Sequence, residues 1–262
     1  MITQNKEICW NITARCNHGC RYCHRFLGVS ELSFEKNKKI LHNLINSGVV
    51  ELTWTGGEPL LYTDIEQLMK IAHSNGIKNK LVTNGSLLAI DRLDTICNYL
   101  DSITLSIDSI DLEINTKLGR GRDHFKKIDT ILNYLQKTKK HIKTGINTVI
   151  SFYNYGIKII NDLAAYLSKF NIDSWRIFMF MPLREMAARN NNEFRISNNI
   201  FDKIKKYVIK NCKVKKIEFR KKKDMESKYV LILANGDIFV TNKGKDVRVG
   251  NALFDSINKY LD

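Results

Sequence analysis

Proline is nearly absent from this chain, with two in 262 residues, Pro59 and Pro182. That excludes a proline-rich spacer or a polyproline recognition segment. No run approaches the roughly 18 apolar residues of a membrane-spanning helix. The opening residues, MITQNKEICWNIT, lack the charged-then-apolar layout of a secretion signal. No membrane partner is therefore expected, and a reducing cytoplasm is the expected location. Cysteine is scarce and uneven: three of six fall within eight residues, while Cys9, Cys97 and Cys212 are scattered. This is no disulfide framework. Only Cys212 lies beyond residue 100, so a second cysteine-held cluster cannot be built. Internal repeats and low-complexity linkers are also missing.

Acidic residues are outnumbered, 27 against 42 Lys and Arg, for a net charge of +15. Such a balance favours anionic partners, or it reflects a Lys-, Asn- and Ile-rich genome. The densest basic run, Lys213 to Lys223, alternates with apolar residues and reads as a solvated strand face. With 44% hydrophobic and 26% charged residues the chain can build a core, and its length suits one large domain.

What is present is a strand–helix rhythm. Strands are expected at 7–14, 49–55, 80–83, 102–107, 142–150 and 174–180, short and rich in Ile, Val and Thr. Helices are expected near 33–47, 63–75, 91–99, 124–137 and 156–169, with apolar residues three and four apart, such as Ile128, Ile131, Leu132 and Leu135. Alternating units of this kind imply an α/β fold with a parallel sheet curling into a partial (β/α)6 TIM-like barrel. That core covers residues 1–182. Residues 183–262 read as a C-terminal α+β extension of the same domain, with a helix near 198–211 and strands near 214–219, 229–234 and 237–241. Asn235-Gly236 marks a hairpin between the last two.

Residues 16–23 read CNHGCRYC, a C-x3-C-x2-C spacing. Thiolates are the usual ligands of iron–sulfur clusters. Three of them on a four-iron cubane leave one iron open, able to chelate the amino and carboxylate groups of S-adenosylmethionine (SAM) and pass it an electron. A zinc site would need a fourth ligand, for which His18 or His24 is at hand. The loop after a first barrel strand is a place where barrel chemistry sits.

From about Glu7 to Met181 the chain resembles the radical SAM superfamily. That resemblance implies a [4Fe–4S] cluster on Cys16, Cys20 and Cys23, with SAM as cosubstrate. It implies that Tyr22 meets the adenine, and that Gly56-Gly57-Glu58-Pro59, a GGEP motif after the second strand, holds the SAM amino group. Glycines admit close backbone approach, and a carboxylate accepts from an ammonium. Asn84, Ser106 and Asp108 fall at strand ends where such enzymes contact the cofactor, Asn147 lies within the fifth strand where they contact the ribose, and Arg120 could pair with the SAM carboxylate. Each also has a plainer role: Asn84-Gly85 as a turn, Asp108 as a helix cap.

Within the superfamily the chain is similar to viperin-like nucleotide dehydratases, through Ser106–Gly121, Asn147–Asn154, Ser174–Leu183 and Asp224–Val240. This implies a nucleoside triphosphate substrate, with Arg176, Lys228 and Tyr229 as substrate-binding candidates. Gly145 departs from that family, which places a phosphate-binding lysine there, although Lys143 is close. Gly236 stands near a family tyrosine, and His24 follows the third cysteine in place of an aromatic. Two other classes stay open: a radical enzyme acting on a ribosomal peptide or other metabolite, recruited as an acidic peptide, and a non-catalytic metal-binding protein. A reducing partner such as flavodoxin or ferredoxin is expected for either enzyme.

Overall fold

A computed structural model describes residues 7–138, 141–225, 229–242 and 245–260. Large buried side chains recur at alternate positions along the first six strands. These are Ile8, Trp10 and Ile12 in β1 (Glu7–Thr13) and Leu52 and Trp54 in β2 (Glu51–Gly56). Leu81 fills β3 (Lys78–Thr83), and Ile103 and Leu105 fill β4 (Ser102–Ser106). Ile146 and Ile150 lie in β5 (Lys143–Ile150), Trp175 and Ile177 in β6 (Ser174–Met179). A period of two puts each set on one face of the sheet.

That face packs under the helices α1 (Phe34–Asn46), α2 (Ile65–Ser74), α3 (Ile90–Cys97), α5 (His124–Thr138) and α6 (Ile157–Leu167), while α4 (Leu112–Lys117) meets a separate small cluster through Ile114. Ile40, Leu41, Leu68, Ile96, Ile131 and Leu163 complete one continuous core with it. Each full burial of this kind contributes about 1.5–3 kcal/mol. Polar groups caught in this layer are satisfied. Trp54 Nε1 donates to Asn79 Oδ1 at 2.8 Å, and Asn79 Nδ2 donates to the carbonyls of Met69 and Tyr99.

Beyond Pro182 come α7 (Arg184–Arg189), α8 (Asn191–Phe194), α9 (Asn198–Asn211), β7 (Ile217–Arg220), β8 (Tyr229–Ile232), β9 (Asp237–Asn242) and β10 (Lys245–Asn251). Among the described residues the strands form one sheet in the order β10-β9-β8-β1-β2-β3-β4-β5-β6-β7. Pairing is parallel from β8 through β1 to β7, and antiparallel in β8-β9-β10. The described sheet has edges at β7 and β10, so the barrel is partial, as the alternating pattern predicts. The later strands are woven into both ends of this sheet: β7 continues it beyond β6, and β8 lies against β1. The Asn235-Gly236 turn is present, with Gly236 at φ +83° and its N–H donating to Leu233 O at 2.8 Å.

Candidate active site

The loops at the C-terminal ends of the strands interlock through glycine backbone. Gly57 N–H donates to Thr13 O and Glu58 N–H to Arg15 O, both at 2.8 Å. A Cβ at Gly57 would lie 2.0 Å from Arg15 O, and one at Gly56, where φ is +143°, 2.3 Å from Thr13 O. Only glycine lets the loop after β2 seat against the cysteine loop after β1. We predict that Gly57→Ala costs about 1–3 kcal/mol of stability and weakens SAM binding at least about tenfold. Urea denaturation and equilibrium dialysis would check the two effects.

Glu58 is 0% exposed. Its carboxylate accepts from Thr83 Oγ1 at 2.7 Å, from Asn84 N–H at 2.8 Å and from Leu60 N–H at 3.2 Å. The resemblance implies an ammonium at this carboxylate; protein donors hold it in place, two on Oε1 and one on Oε2. Its work is to lock the ends of β2 and β3 together, with Pro59 opening the short turn 59–61 that Glu58 caps. Asn84, on that lock, donates to Asn17 Oδ1 at 3.0 Å and approaches Cys16 Sγ at 3.9 Å. It braces the cysteine loop.

Tyr22, Asp108 and Arg120 also meet one another. Asp108 Oδ2 accepts from Arg120 Nε at 2.8 Å, from Arg120 Nη2 at 2.6 Å and from the Tyr22 hydroxyl. Oδ1 accepts from Val149 N–H at 2.8 Å. The ion pair is hidden, with side chains 5% and 0% exposed. Burial alone would lower the Arg120 pKa, but the adjacent carboxylate holds it well above its ordinary value. Burial pushes the Tyr22 hydroxyl up. The cluster ties the cysteine loop to β4, β5 and the segment before α5. Direct pairing of Arg120 with a SAM carboxylate, or of the Tyr22 hydroxyl with adenine, would have to compete with Asp108.

The donor set fits a cubane. Cys16, Cys20 and Cys23 are free and partly exposed thiols on one loop. Among the described residues no three His, Cys, Asp or Glu side chains converge on a single ion. A tetrahedral zinc site requires such convergence, whereas a cubane binds each cysteine to a different iron. His18 packs edge-on against His124, with ring centroids 5.2 Å apart. Burial drops its pKa to about 4 and that of His124 to about 2. His24 is likewise held neutral, lowered to about 4 by burial and by Arg184. Burial of Cys20 pushes its thiol up to about 11, so loading a metal there must displace a proton.

The other residue set of each strand faces the concave side. Ser106, Asn147, Arg176 and Glu218 stand in register across β4, β5, β6 and β7. Arg176 lies five strands from β1, yet its charge acts on Cys9 of β1 and on Tyr229 of β8. The sheet therefore curls around a shared lumen. Ser106 offers its carbonyl to His124 Nε2 at 2.8 Å. Asn147 Oδ1 and Arg176 Nε are buried without a hydrogen-bond partner, and Arg176 Nε lies 3.8 Å from Glu218 Oε2. Tyr229 opens β8, its hydroxyl pushed up to about 12 by burial and by Glu7. Lys228 lies outside the described residues. At Gly145 a Cβ would come 2.8 Å from Thr104 Oγ1 and 3.1 Å from Ser174 Oγ. Two hydroxyls crowd the place of the family lysine.

Several positioning residues escaped the sequence reading. A Cβ at Gly119, where φ is +80°, would meet Gly19 O at 2.2 Å, and Arg21 N–H donates to Leu118 O at 3.1 Å. The GRG segment is thus a seat for the cysteine loop, a role its glycines hinted at. Asn154 Nδ2 donates to the carbonyls of Asp108 and Val149. Arg184 has φ +59°, unusual for a residue other than glycine. Its guanidinium lies 4.0 Å from the Phe26 ring centroid and donates to His24 O at 2.6 Å and Asp246 Oδ2 at 2.9 Å. This joins the cysteine loop to β10. No local pattern marks either residue.

With this barrel, thiol loop and glycine wall in place, the chain belongs to the radical SAM superfamily, whose sequence profile matches residues 10–158. It is an enzyme of that class, and its cofactors are a [4Fe–4S] cluster and SAM. More narrowly, it is 30% identical over 239 residues to the S-adenosylmethionine-dependent nucleotide dehydratase of Flammeovirga pacifica, covering 87% of this chain and 80% of that protein. A relative of the same name in Lacinutrix mariniflava is 28% identical over 208 residues, 75% of this chain and 43% of that one. The chain thus spans less than half the length of the second relative. The viperin-like resemblance is borne out by these relatives. Among solved structures, Streptococcus suis SuiB bound to S-adenosylmethionine superposes with a TM-score of 0.73 at 17% identity, covering 98% of this chain and 65% of that one. That likeness shows the fold. No described helix is long and apolar enough to cross a membrane.

Proposed function

We propose that this enzyme takes a hydrogen atom from the sugar of a nucleotide and removes water from it. The observation that carries the reading is the lumen. Arg176 Nε and Arg220 Nε are buried on the concave side without a hydrogen bond, their guanidiniums ion-paired with Glu218, beside Asn147 Oδ1, which also lacks one. Guanidinium donors suit phosphate oxygens, and an amide oxygen suits a ribose hydroxyl.

We assign the cluster to Cys16, Cys20 and Cys23. When bound, it and SAM supply the radical that accepts the substrate hydrogen. Backbone at Gly56 and Gly57 lines the SAM wall, and Glu58 and Asn84 hold that wall still. Ser106 and Asn147 face the ribose side, while Arg176 and Tyr229 face the substrate. Asp108, Tyr22 and Arg120 act by fixing the cysteine loop. The nucleotide loses one hydrogen atom and one hydroxyl group, the latter leaving as water with a solvent proton. SAM ends as methionine and 5′-deoxyadenosine. The balance takes two electrons, from a flavodoxin- or ferredoxin-type donor, and the free thiols suit a reducing cytoplasm.

The test is SAM cleavage by anaerobically reconstituted protein with each ribonucleotide in turn. One or more should raise 5′-deoxyadenosine formation at least about tenfold and yield a product lighter by one water. No stimulation by any nucleotide would overturn the reading.

A further inference from the structure

Positive charge gathers on one flank of the molecule. Residues 198–224, about a tenth of the chain, hold eleven Lys and Arg against three Asp and Glu, a net +8 of the chain's +15. They form α9, the lead into β7, β7 itself and the turn after it. Each of the three carboxylates is already engaged. Asp202 is bonded by Lys221, Glu218 by Lys216 and Arg220, and Asp224 accepts from Lys221 N–H. Lys203, Lys206, Lys210, Lys213, Lys222 and Lys223 are all exposed, and among the described residues no carboxylate lies within ion-pair distance of them.

Folding does not ask for this arrangement. Lys203, Lys206 and Lys210 stand three and four residues apart on α9, so they share a face and repel one another. Phe201, Ile204 and Val208 hold that helix to the core without them. Lys205 and Lys221 lie over the Phe219 and Phe201 rings and so have packing work. Of the other six, Lys210 in the last turn of α9 gains from the helix dipole.

A polyanion would gain from all six, and the composition of the flank says which kind. A protein interface centres on aromatic, Met and Arg anchors and is depleted in Lys. A membrane surface needs an apolar helix face, and on this flank Ile209, 60% exposed, is the one large hydrophobic side chain open to solvent. Single-stranded nucleic acid needs exposed rings for its bases to stack on. Here the Tyr207 hydroxyl is tied to Asn161 Oδ1 at 2.9 Å, and Phe219 lies under Lys205. Exposed lysine point charges without aromatic anchors suit the dense, regular phosphate backbone of a duplex.

We propose that this flank binds the phosphate backbone of double-stranded nucleic acid through those six lysines, without reading base sequence. The proposal is independent of the nucleotide reading, since none of the six belongs to the site described above. The test is fluorescence anisotropy of the reconstituted protein with short labelled DNA and RNA duplexes, each in two unrelated sequences, and with their single strands, over a salt series. At least one duplex type should bind alike in both sequences, with Kd about 1–100 μM near physiological salt. Log affinity should fall with log salt at a slope of about −5, as six neutralised phosphates would give.

Lys203→Gln, Lys206→Gln and Lys210→Gln together should flatten that slope by about half and weaken low-salt binding at least about tenfold. SAM cleavage and the unfolding midpoint should stay at the wild-type level. If that variant fails to fold, Lys222→Gln with Lys223→Gln carries the test, flattening the slope by about a third. Absence of duplex binding at low salt overturns the proposal, as does a slope unchanged in every folded variant. Tighter binding to single strands, to phosphatidylserine-containing vesicles or to a flavodoxin also overturns it.

Discussion

Asp108→Asn is expected to lower stability by about 3–5 kcal/mol, the cost of leaving a buried charge without its partner. Arg120 would keep its guanidinium in a site where its side chain is 5% exposed. Three donors, the Arg120 guanidinium, the Tyr22 hydroxyl and Val149 N–H, converge on the carboxylate. An amide keeps the shape and loses the charge, so packing changes little and the electrostatic part is read directly. Urea unfolding followed by circular dichroism would measure it. A matching Arg120→Met change in the same chain should restore much of the loss, because removing both charges is far cheaper than removing one. A loss below about 1 kcal/mol for Asp108→Asn, typical of an exposed pair, would show that this cluster does not hold the cysteine loop.

Cys20→Ala should abolish cluster binding and reduce SAM cleavage to background, by at least about three orders of magnitude, since every later step needs the electron the cluster delivers. The thiol sits on a loop and outside the main core, packing only against the small cluster around Tyr22, Leu118 and Phe194, so the fold should survive. Unfolding midpoint, iron content and 5′-deoxyadenosine yield together distinguish the cases. Wild-type chain should hold about four irons. A folded variant with undiminished iron and activity would remove Cys20 from the site.

Much of the architecture is legible in the chain because its periods are clean. The helix over His124–Thr138 and the strand over Lys143–Ile150 lie within a residue of where apolar spacing places them. The strand Lys245–Asn251 is not legible, since KDVRVGN carries three charges and borrows its pairing from β9. The expected strand at 214 begins instead at Ile217, because the lysines before it are exposed at the rim.

At the site, motif position gathers residues around the cysteine loop but does not show which side chains they meet. Glu58, Tyr22, Asp108 and Arg120 each read as cofactor contacts. In space their polar groups engage one another or nearby backbone. A motif gives spacing along the chain; it does not show that a guanidinium twelve residues on folds back to its carboxylate. Glu218 and Arg220, which share the lumen with Arg176, were missed because no local pattern unites residues on separate strands. The signal was there in the strands' alternation: each carries a polar side chain on the face opposite the buried one.

The most direct test of the central claim follows a hydrogen atom. The reconstituted, reduced enzyme would be given SAM and ribonucleotides deuterated at the sugar carbons, and the 5′-deoxyadenosine analysed by mass spectrometry. Deuterium in 5′-deoxyadenosine from a nucleotide that also loses water is the predicted result. Unlabelled 5′-deoxyadenosine with every deuterated nucleotide would contradict the account.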